Sequence, residues 1–190
     1  MSVSSITTNV VGRVKIRRAT VADAEAIATV RIDSWRASYR GVVPDAYLDA
    51  MKTDDSTRMW TRVLEAASDA ACTFVALIDD ELVGFAAGIT LAQPKLGFDA
   101  ELSALYILPS VQRAGIGRHL LAQVATTLAA AGAPNMLVWV LAKNKKARQF
   151  YEGLGGQLLA EQTFKWDDLD LIEVAYGWRD IGSVSHPLAQ

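Results

Sequence analysis

The sequence predicts an α/β domain built on a mixed β-sheet that is flanked by helices. Of its 190 residues, 51% are hydrophobic and 21% are charged, which is a globular composition. β-Prone runs and helical periodicities follow each other as strand, two or three helices, three strands, helix, strand, helix and two strands. No repeat or linker interrupts residues 14–178, so one domain is predicted there, with tails at 1–13 and 179–190.

The first part of the chain is predicted to form a short strand and then helices. The alternating VKIRRA at 14–19 predicts the strand, and Thr20 with Asp23 is typical of a helix start. This first helix is expected to end at Gly41. Shorter helices are predicted for PDAYLDAM at 44–51 and for residues 57–67, which carry apolar side chains at helical spacing.

The next segment is predicted to contain a hairpin and a third strand. CTFVALI at 72–78 and LVGFAAGIT at 82–90 flank the acidic turn DDE. AQPKLG at 92–97 is predicted to be a loop, followed by a strand over FDAELSALYIL at 98–108. By strict alternation, Glu101 is expected on the same strand face as Ser103, Leu105 and Ile107.

The last part is predicted to alternate between helices and strands. Residues 116–131 have helical periodicity, and the apolar run NMLVWVL at 135–141 suits a strand that is covered on both faces. A second helix with an apolar stripe is expected to end at Gly155. GQLLAEQTF at 156–164 and LIEVAYGW at 171–178 are predicted as the final strands.

Composition argues against several classes of function. A formal net charge of −2 gives no overall electrostatic support to a nucleic-acid partner. Cys72 is the single cysteine, so no internal disulfide forms, and two isolated histidines do not suggest a metal site. The polar N-terminal segment resembles neither a signal peptide nor a membrane span, so we expect a cytoplasmic protein without membrane contact.

The segment QRAGIGR at 112–118 places two glycines and two arginines at the start of a helix. A helix N-terminus binds anions through its free N–H groups, and glycine lets a phosphate approach the backbone. The segment lacks the third glycine of a dinucleotide fingerprint and the Gly-Lys-Ser/Thr ending of a P-loop. It therefore predicts a pyrophosphate site of another kind, while glycines that serve only tight helix–strand packing are the alternative.

Two blocks together resemble the GNAT superfamily of N-acetyltransferases. The family's acyl-CoA motif is resembled by the first block, ELSALYILPSVQRAGIGRHLL. The strand and helix that follow this motif in the family are resembled by the second block, VWVLAKNKKARQFYEGLGG. The segment from Ile16 to Met51 resembles one bacterial branch, while Gly156 stands where an aromatic residue is usual. The resemblance covers about residues 14–178. It implies a single GNAT-like domain with a mostly antiparallel sheet of six to seven strands, acetyl-CoA as cosubstrate and no metal.

The resemblance also implies where acetyl-CoA binds. The pantetheine arm is expected to lie like an added strand along the backbone of Leu105, Tyr106 and Ile107. Asn144 is expected to contact the same arm, although an asparagine before a helix also suits an N-cap. The pyrophosphate is assigned to the helix start, formed by Gln112, Arg113, Ala114, Gly115, Ile116, Gly117 and Arg118.

The catalytic roles that the resemblance implies fall on two side chains. Tyr151 is the expected general acid, which protonates the departing thiolate, and its alternative role is a core residue. Glu101 is the expected general base, acting through a water, and its alternative is a solvated residue at a strand start. Whether water acts alone is not readable. Trp35 and Tyr39 are assigned to the acceptor site, with packing as their alternative.

The predicted function is transfer of an acetyl group from acetyl-CoA to a primary amine of a small molecule or peptide, by direct attack in a ternary complex. The alternative is a non-catalytic acyl-CoA-binding regulatory domain, which would need neither Glu101 nor Tyr151. The acceptor amine, the acyl-chain preference and the oligomeric state are not readable from the sequence. A homodimer through the last strands is common in such proteins.

Overall fold

A seven-stranded sheet organises residues 14–66, 68–166 and 169–185, which are the residues that the computed structural model describes. Its strands lie in the order β1-β2-β3-β4-β5-β7-β6. Every described neighbouring pair is antiparallel except β4 and β5. This confirms the predicted mixed, mostly antiparallel sheet. The strands are β1 (Val14–Arg18), β2 (Ala71–Ile78), β3 (Glu81–Lys95), β4 (Phe98–Ile107), β5 (Met136–Leu141), β6 (Gln157–Trp166) and β7 (Leu169–Trp178).

Helices cover both faces of the sheet. One face packs against α1 and α3, and the opposite face packs against α4, α5 and α6. None of the described helices combines the length and apolarity that crossing a bilayer requires. The helices are α1 (Ala24–Tyr39), α2 (Asp45–Ala50), α3 (Thr53–Glu65), α4 (Ile116–Ala130), α5 (Lys145–Gly153) and α6 (Gly182–Ser185).

Two local predictions need correction. The segment AQPKLG is not a loop, because β3 continues to Lys95 and the turn to β4 consists of Leu96 and Gly97. Both turn residues have a positive φ, 52° and 78°, as a tight two-residue hairpin requires. The third helix begins at Thr53 rather than at residue 57, since Asp54 and Asp55 occupy its first turn, where carboxylates are favoured.

A β-bulge at Ser103 reverses the faces of β4. Gly88 pairs with Leu102 and the adjacent Ala87 pairs with Ala104, which leaves Ser103 as the extra residue. Before the bulge, Leu102 packs on the α4 side of the sheet; after it, Leu105 does. The expectation that Glu101 shares a face with Leu105 and Ile107 is therefore wrong. Glu101 lies on the face of Tyr106, towards α1.

The packed part of the chain extends beyond the predicted boundary at residue 178. Ile181 and Val184 are buried in the same core as α4, and the Ile181 N–H donates to the Pro134 carbonyl over 2.9 Å. Residues up to Ser185 thus belong to the folded domain. The predicted N-terminal tail, residues 1–13, and residues 186–190 lie outside the described residues.

A glycine in β3 sets how closely α4 approaches the sheet. A Cβ atom built at Gly88 would lie 2.5 Å from Val124 Cγ1 and 2.9 Å from Leu128 Cδ1, both on α4. These distances are shorter than van der Waals contact, and both α4 side chains are buried. The absence of a side chain at Gly88 therefore allows α4 to lie directly on β3, which fixes where the helix begins.

We predict that Gly88→Ala lowers the free energy of unfolding by about 1–3 kcal/mol, because an overpacked core must shift to accept the methyl group. Thermal or urea unfolding measures the effect. Gly153→Ala is the matched control, since a Cβ there meets nothing within 4 Å. A Gly88→Ala variant as stable as the control would contradict the close packing of α4 on β3.

Candidate active site

The candidate site is a cleft that opens where β4 and β5 separate. These parallel strands are paired only at Glu101 with Leu137 and at Leu102 with Val138, and they then diverge. The cleft has a volume of about 1130 Å³ and is lined by both strands, α1 and the first turns of α4 and α5. Because β4 has no strand partner on this side beyond the bulge, its edge is open to an extended ligand.

The segment 112–118 lies at one end of this cleft. Gly115 is in the left-handed conformation with φ 77°, and Arg113 has φ 66°. Within the described part of the chain, the backbone N–H groups of residues 113–117 donate no hydrogen bond. Arg113, Arg118 and the lysines of α5's first turn also line the cleft. Free N–H groups and basic side chains together suit a doubly charged anion such as pyrophosphate.

The two glycines of this segment have different structural roles. A Cβ at Gly117 would lie 3.1 Å from Ile107 Cδ1 and 3.3 Å from Phe150 Cζ, so this glycine permits close packing between α4, β4 and α5. A Cβ at Gly115 would meet only the His119 ring, at 3.8 Å. The packing interpretation therefore describes Gly117, whereas Gly115 supplies the left-handed backbone that turns into the helix.

The end of β4 is tied to its surroundings through one carbonyl. The Ile107 carbonyl accepts a hydrogen bond from Gln112 Nε2 over 3.0 Å and another from Ser34 Oγ over 3.4 Å. The sequence assigned Gln112 to the pyrophosphate, but its side-chain amide donates to the backbone of β4. This contact holds the loop between β4 and α4 in place.

Three tyrosines, Tyr39, Tyr106 and Tyr151, lie near the point where β4 and β5 diverge. The Trp35 indole N–H donates to the Tyr106 hydroxyl over 3.0 Å, and Asn144 Nδ2 donates to the Tyr39 hydroxyl over 3.1 Å. Burial and the neighbouring phenols raise the pKa of Tyr151 well above its ordinary value. All three phenols are therefore close together on the cleft wall, and the sequence assigned each of them to the site.

Asn144 acts as a helix cap and as a link between elements. Its Oδ1 accepts from the Ala147 N–H over 3.1 Å, which is the N-cap geometry, while its Nδ2 holds Tyr39 on α1. The N-cap alternative is thus observed. Trp35 and Tyr39 likewise pack edge to face, 4.9 Å apart, and still line the cleft, so packing and a place at the site coexist.

Tyr151 is buried against the rings of Phe150, Tyr176 and Trp178 and lines the cleft. Among the described residues, its hydroxyl has no hydrogen-bond partner. A phenol is protonated at neutral pH at its ordinary pKa, and burial raises the pKa of Tyr151 further. It can therefore donate a proton to a ligand in the cleft.

Glu101 is half-buried at the other end of the cleft, on the α1 face of β4. Its Oε2 accepts a hydrogen bond from Lys95 Nζ over 2.9 Å, and the exposed fractions of the two side chains are 19% and 57%. The carboxylate is therefore neither fully solvated nor without a partner. The Lys95 contact arises because β3 extends through the segment predicted as a loop.

A second carboxylate, Glu173 on β7, lies in the same part of the cleft and was missed by the sequence reasoning. It is buried, and its Oε1 accepts from Gln162 Nε2 over 2.7 Å. Burial raises the pKa of Glu173, and the nearby Glu101 raises it further. The sequence does contain a signal for it, because Glu173 interrupts the apolar run LIEVAYGW and a carboxylate within a buried strand is costly.

The cleft thus has an anion-binding end and an end with carboxylates and phenols, joined by an open strand edge. Among the described residues, no group of three His, Cys, Asp or Glu side chains could hold a metal ion. An extended ligand with an anionic end would fit this arrangement, and its far end would lie beside ionisable side chains. Comparisons with known proteins identify the class.

The family model described as the acetyltransferase (GNAT) family matches residues 30–155. An uncharacterized N-acetyltransferase of Bacillus subtilis, YuaI, is 34% identical over 173 residues, which are 90% of this chain and 96% of the relative. The spermidine N(1)-acetyltransferase of Thermoplasma acidophilum is 24% identical over 160 residues, which are 83% of this chain and 91% of the relative. This chain belongs to the GNAT acetyltransferase family, and it is an acetyl-CoA-dependent acetyltransferase.

Solved structures agree on the fold. The PaiA N-acetyltransferase from Thermoplasma acidophilum, in complex with coenzyme A, superposes with a TM-score of 0.63 at 21% identity, over 85% of this chain and 97% of that one. The putative acetyltransferase yncA from Salmonella typhimurium, solved with acetyl-CoA, gives a TM-score of 0.62 at 18% identity. The superposition covers 87% of this chain and 93% of that one. The non-catalytic alternative finds no support in these comparisons.

Proposed function

We propose that this enzyme transfers the acetyl group of acetyl-CoA directly to a primary amine of a small molecule or peptide. The observation that carries the proposal is the cleft between β4 and β5, which has free N–H groups at one end and Glu101 with Tyr151 towards the other. In the proposed reaction, the amine nitrogen bonds to the acetyl carbon and the carbon–sulfur bond breaks. The nitrogen loses a proton, and the departing thiolate gains one.

The residues at the helix start fit an acyl-CoA. The N–H groups of residues 113–117 have no partner in the described chain, and Arg113 and Arg118 add charge, so the pyrophosphate is held there. The open edge of β4 at Leu105 and Tyr106 offers backbone groups to the pantetheine arm, whereas the Ile107 carbonyl at the end of that edge already accepts from Gln112 and Ser34. When bound, acetyl-CoA supplies an activated acetyl thioester, and the protein supplies positioning and proton transfer.

The acid–base roles follow from the two environments. Tyr151 is protonated at neutral pH, since burial moves the pKa of its phenol upward, and among the described residues its hydroxyl has no hydrogen-bond partner. Its place on the cleft wall supports the role of general acid for the departing thiolate. Glu101 lies on the α1 face, on the side of Trp35 and Tyr39. It therefore receives a proton from the acceptor's ammonium group through a water, and the resulting neutral amine attacks the acetyl carbon. The relative named for spermidine supports a small amine as the acceptor.

The proposal is tested by mixing the enzyme with acetyl-CoA and a panel of primary amines and peptides. We expect free thiol to be released in an amine-dependent manner, with one N-acetylated product for each thiol. Mass spectrometry of the product locates the acetyl group. Thiol release that does not depend on any amine, or acetylation of the protein alone, would contradict direct transfer to an amine.

We predict that Arg113→Gly weakens CoA binding about tenfold, because one charged contact to the pyrophosphate is lost. Glycine accepts the φ of 66° at this position, so the change removes charge without straining the loop. Calorimetry with CoA measures the affinity. Arg62→Ala, an exposed arginine on α3, is the control. Equal affinities for both variants would remove Arg113 from the pyrophosphate site.

We predict that Tyr151→Phe lowers kcat by roughly 10²–10⁴ because it removes the proton donor for the thiolate. The hydroxyl has no partner in the described chain, so stability and the affinity for acetyl-CoA should change little. Steady-state kinetics and thermal unfolding are measured together. A variant that turns over like the wild type would leave Tyr151 as a packing residue.

We predict that Glu101→Gln lowers activity at neutral pH and changes the shape of the pH–rate profile. The variant lacks the carboxylate that receives the proton, so activity should partly recover at high pH, where the amine is already unprotonated. Asp99→Asn, on the same strand but outside the cleft, is the control for loss of charge. A profile that only scales down at every pH would show that Glu101 binds but does not accept the proton.

A further inference from the structure

Glu173 is a buried carboxylate in the acceptor part of the cleft, and the proposed chemistry leaves it without a role. It is 9% exposed and lies on β7 opposite Leu141, so it faces the α1 side with Glu101. Gln162 Nε2 bonds to one carboxylate oxygen, Oε1, over 2.7 Å. The other oxygen, Oε2, has no donor among the described residues, although the side chain lines the cleft.

The charges around Glu173 favour a cation at this point. Lys95 is the cation that acts on it within the described chain, and Lys95 Nζ is already bonded to Glu101 Oε2 at 2.9 Å. Burial and the Glu101 charge raise the pKa of Glu173, while the Gln162 hydrogen bond and Lys95 lower it, so the ionised form is only partly compensated. A buried carboxylate with one neutral donor is costly unless a positive group approaches it.

The cleft wall near Glu101 and Glu173 suits a ligand with a short alkyl chain and a positively charged end. Trp139 on β5, Phe164 on β6 and Leu171 on β7 line the cleft beside Glu173. Aromatic faces attract ammonium groups, and apolar walls accept methylene groups. The acceptor part of the cleft therefore combines two carboxylates, Glu101 and Glu173, with an apolar path.

We propose that Glu173 binds a second positively charged group of the acceptor, so that the preferred acceptors are small diamines or polyamines rather than monoamines. This inference rests on the proposed function. One amino group attacks the acetyl carbon near Glu101, and the other, as an ammonium, donates to Glu173 Oε2. Gln162 holds the carboxylate in position. Glu173 is thus a specificity-determining residue that does not take part in bond formation.

The test compares 1,4-diaminobutane with pentylamine, in which a methyl group replaces the second amino group. Diaminopropane and diaminopentane extend the series to other spacings. We expect kcat/KM of the wild type to be at least about tenfold higher for the best diamine than for pentylamine. Glu173→Gln keeps the size and the acceptor for Gln162, and it should raise KM for the diamine about tenfold with little change in kcat.

Three controls make the result specific. KM for acetyl-CoA and all constants for pentylamine should be the same in Glu173→Gln and wild type. Glu161→Gln, an exposed glutamate on the other face of β6, removes the same charge and should leave the diamine preference intact. Thermal unfolding confirms that each variant is folded.

The outcomes separate this inference from the proposed function. If no amine releases thiol in the wild type, the proposed function fails. If diamines and monoamines react equally well and Glu173→Gln treats them alike, the inference fails while the transferase activity stands. A variant whose kcat falls for both amines, with an altered pH–rate profile, would make Glu173 a proton acceptor and would also overturn the anchoring role.

Discussion

The separation of β4 from β5 is the constraint on which the rest of the site depends. Adjacent strands normally satisfy each other's backbone groups along their length. Here the parallel pair meets at only two positions, and the bulge at Ser103 turns the remainder of β4 away. The exposed edge has backbone groups available to a ligand, and in the proposed function the acyl-CoA arm takes them up in the geometry of a strand.

Packing on the α4 face of the sheet fixes the position of α4 relative to the cleft. Gly88 lets α4 lie on β3, and Gly117 lets its first turn lie against Ile107 and Phe150. These two contacts fix the helix start relative to the end of β4. Gln112 and Ser34 then secure the Ile107 carbonyl from opposite sides. The segment 112–118, whose N–H groups at 113–117 donate no hydrogen bond within the described chain, is thereby held at the end of the cleft.

Local patterns in the sequence predicted the strands, most helices and the glycine-rich helix start at 112–118, since period, turn residues and glycines are local signals. They failed where geometry depends on non-local pairing. The Leu96–Gly97 turn, the bulge at Ser103 and the packing of Ile181 all require a partner strand or helix far along the chain. The resemblance to a known family supplied Glu101 and Tyr151, but it carried no information about Glu173, because β6 and β7 lie outside its motifs.

The bulge also explains why the two ends of the cleft can do different chemistry. Because of it, Glu101 lies on the opposite face from Leu105 and Ile107, which pack in the apolar core on the α4 side, where a carboxylate would be costly. With it, Glu101 and Glu173 share the α1 face with the phenols, while the segment 112–118 leads into α4 on the opposite face. Under the proposed function, an anionic cosubstrate and a cationic acceptor would therefore approach the reacting groups from opposite faces of one sheet.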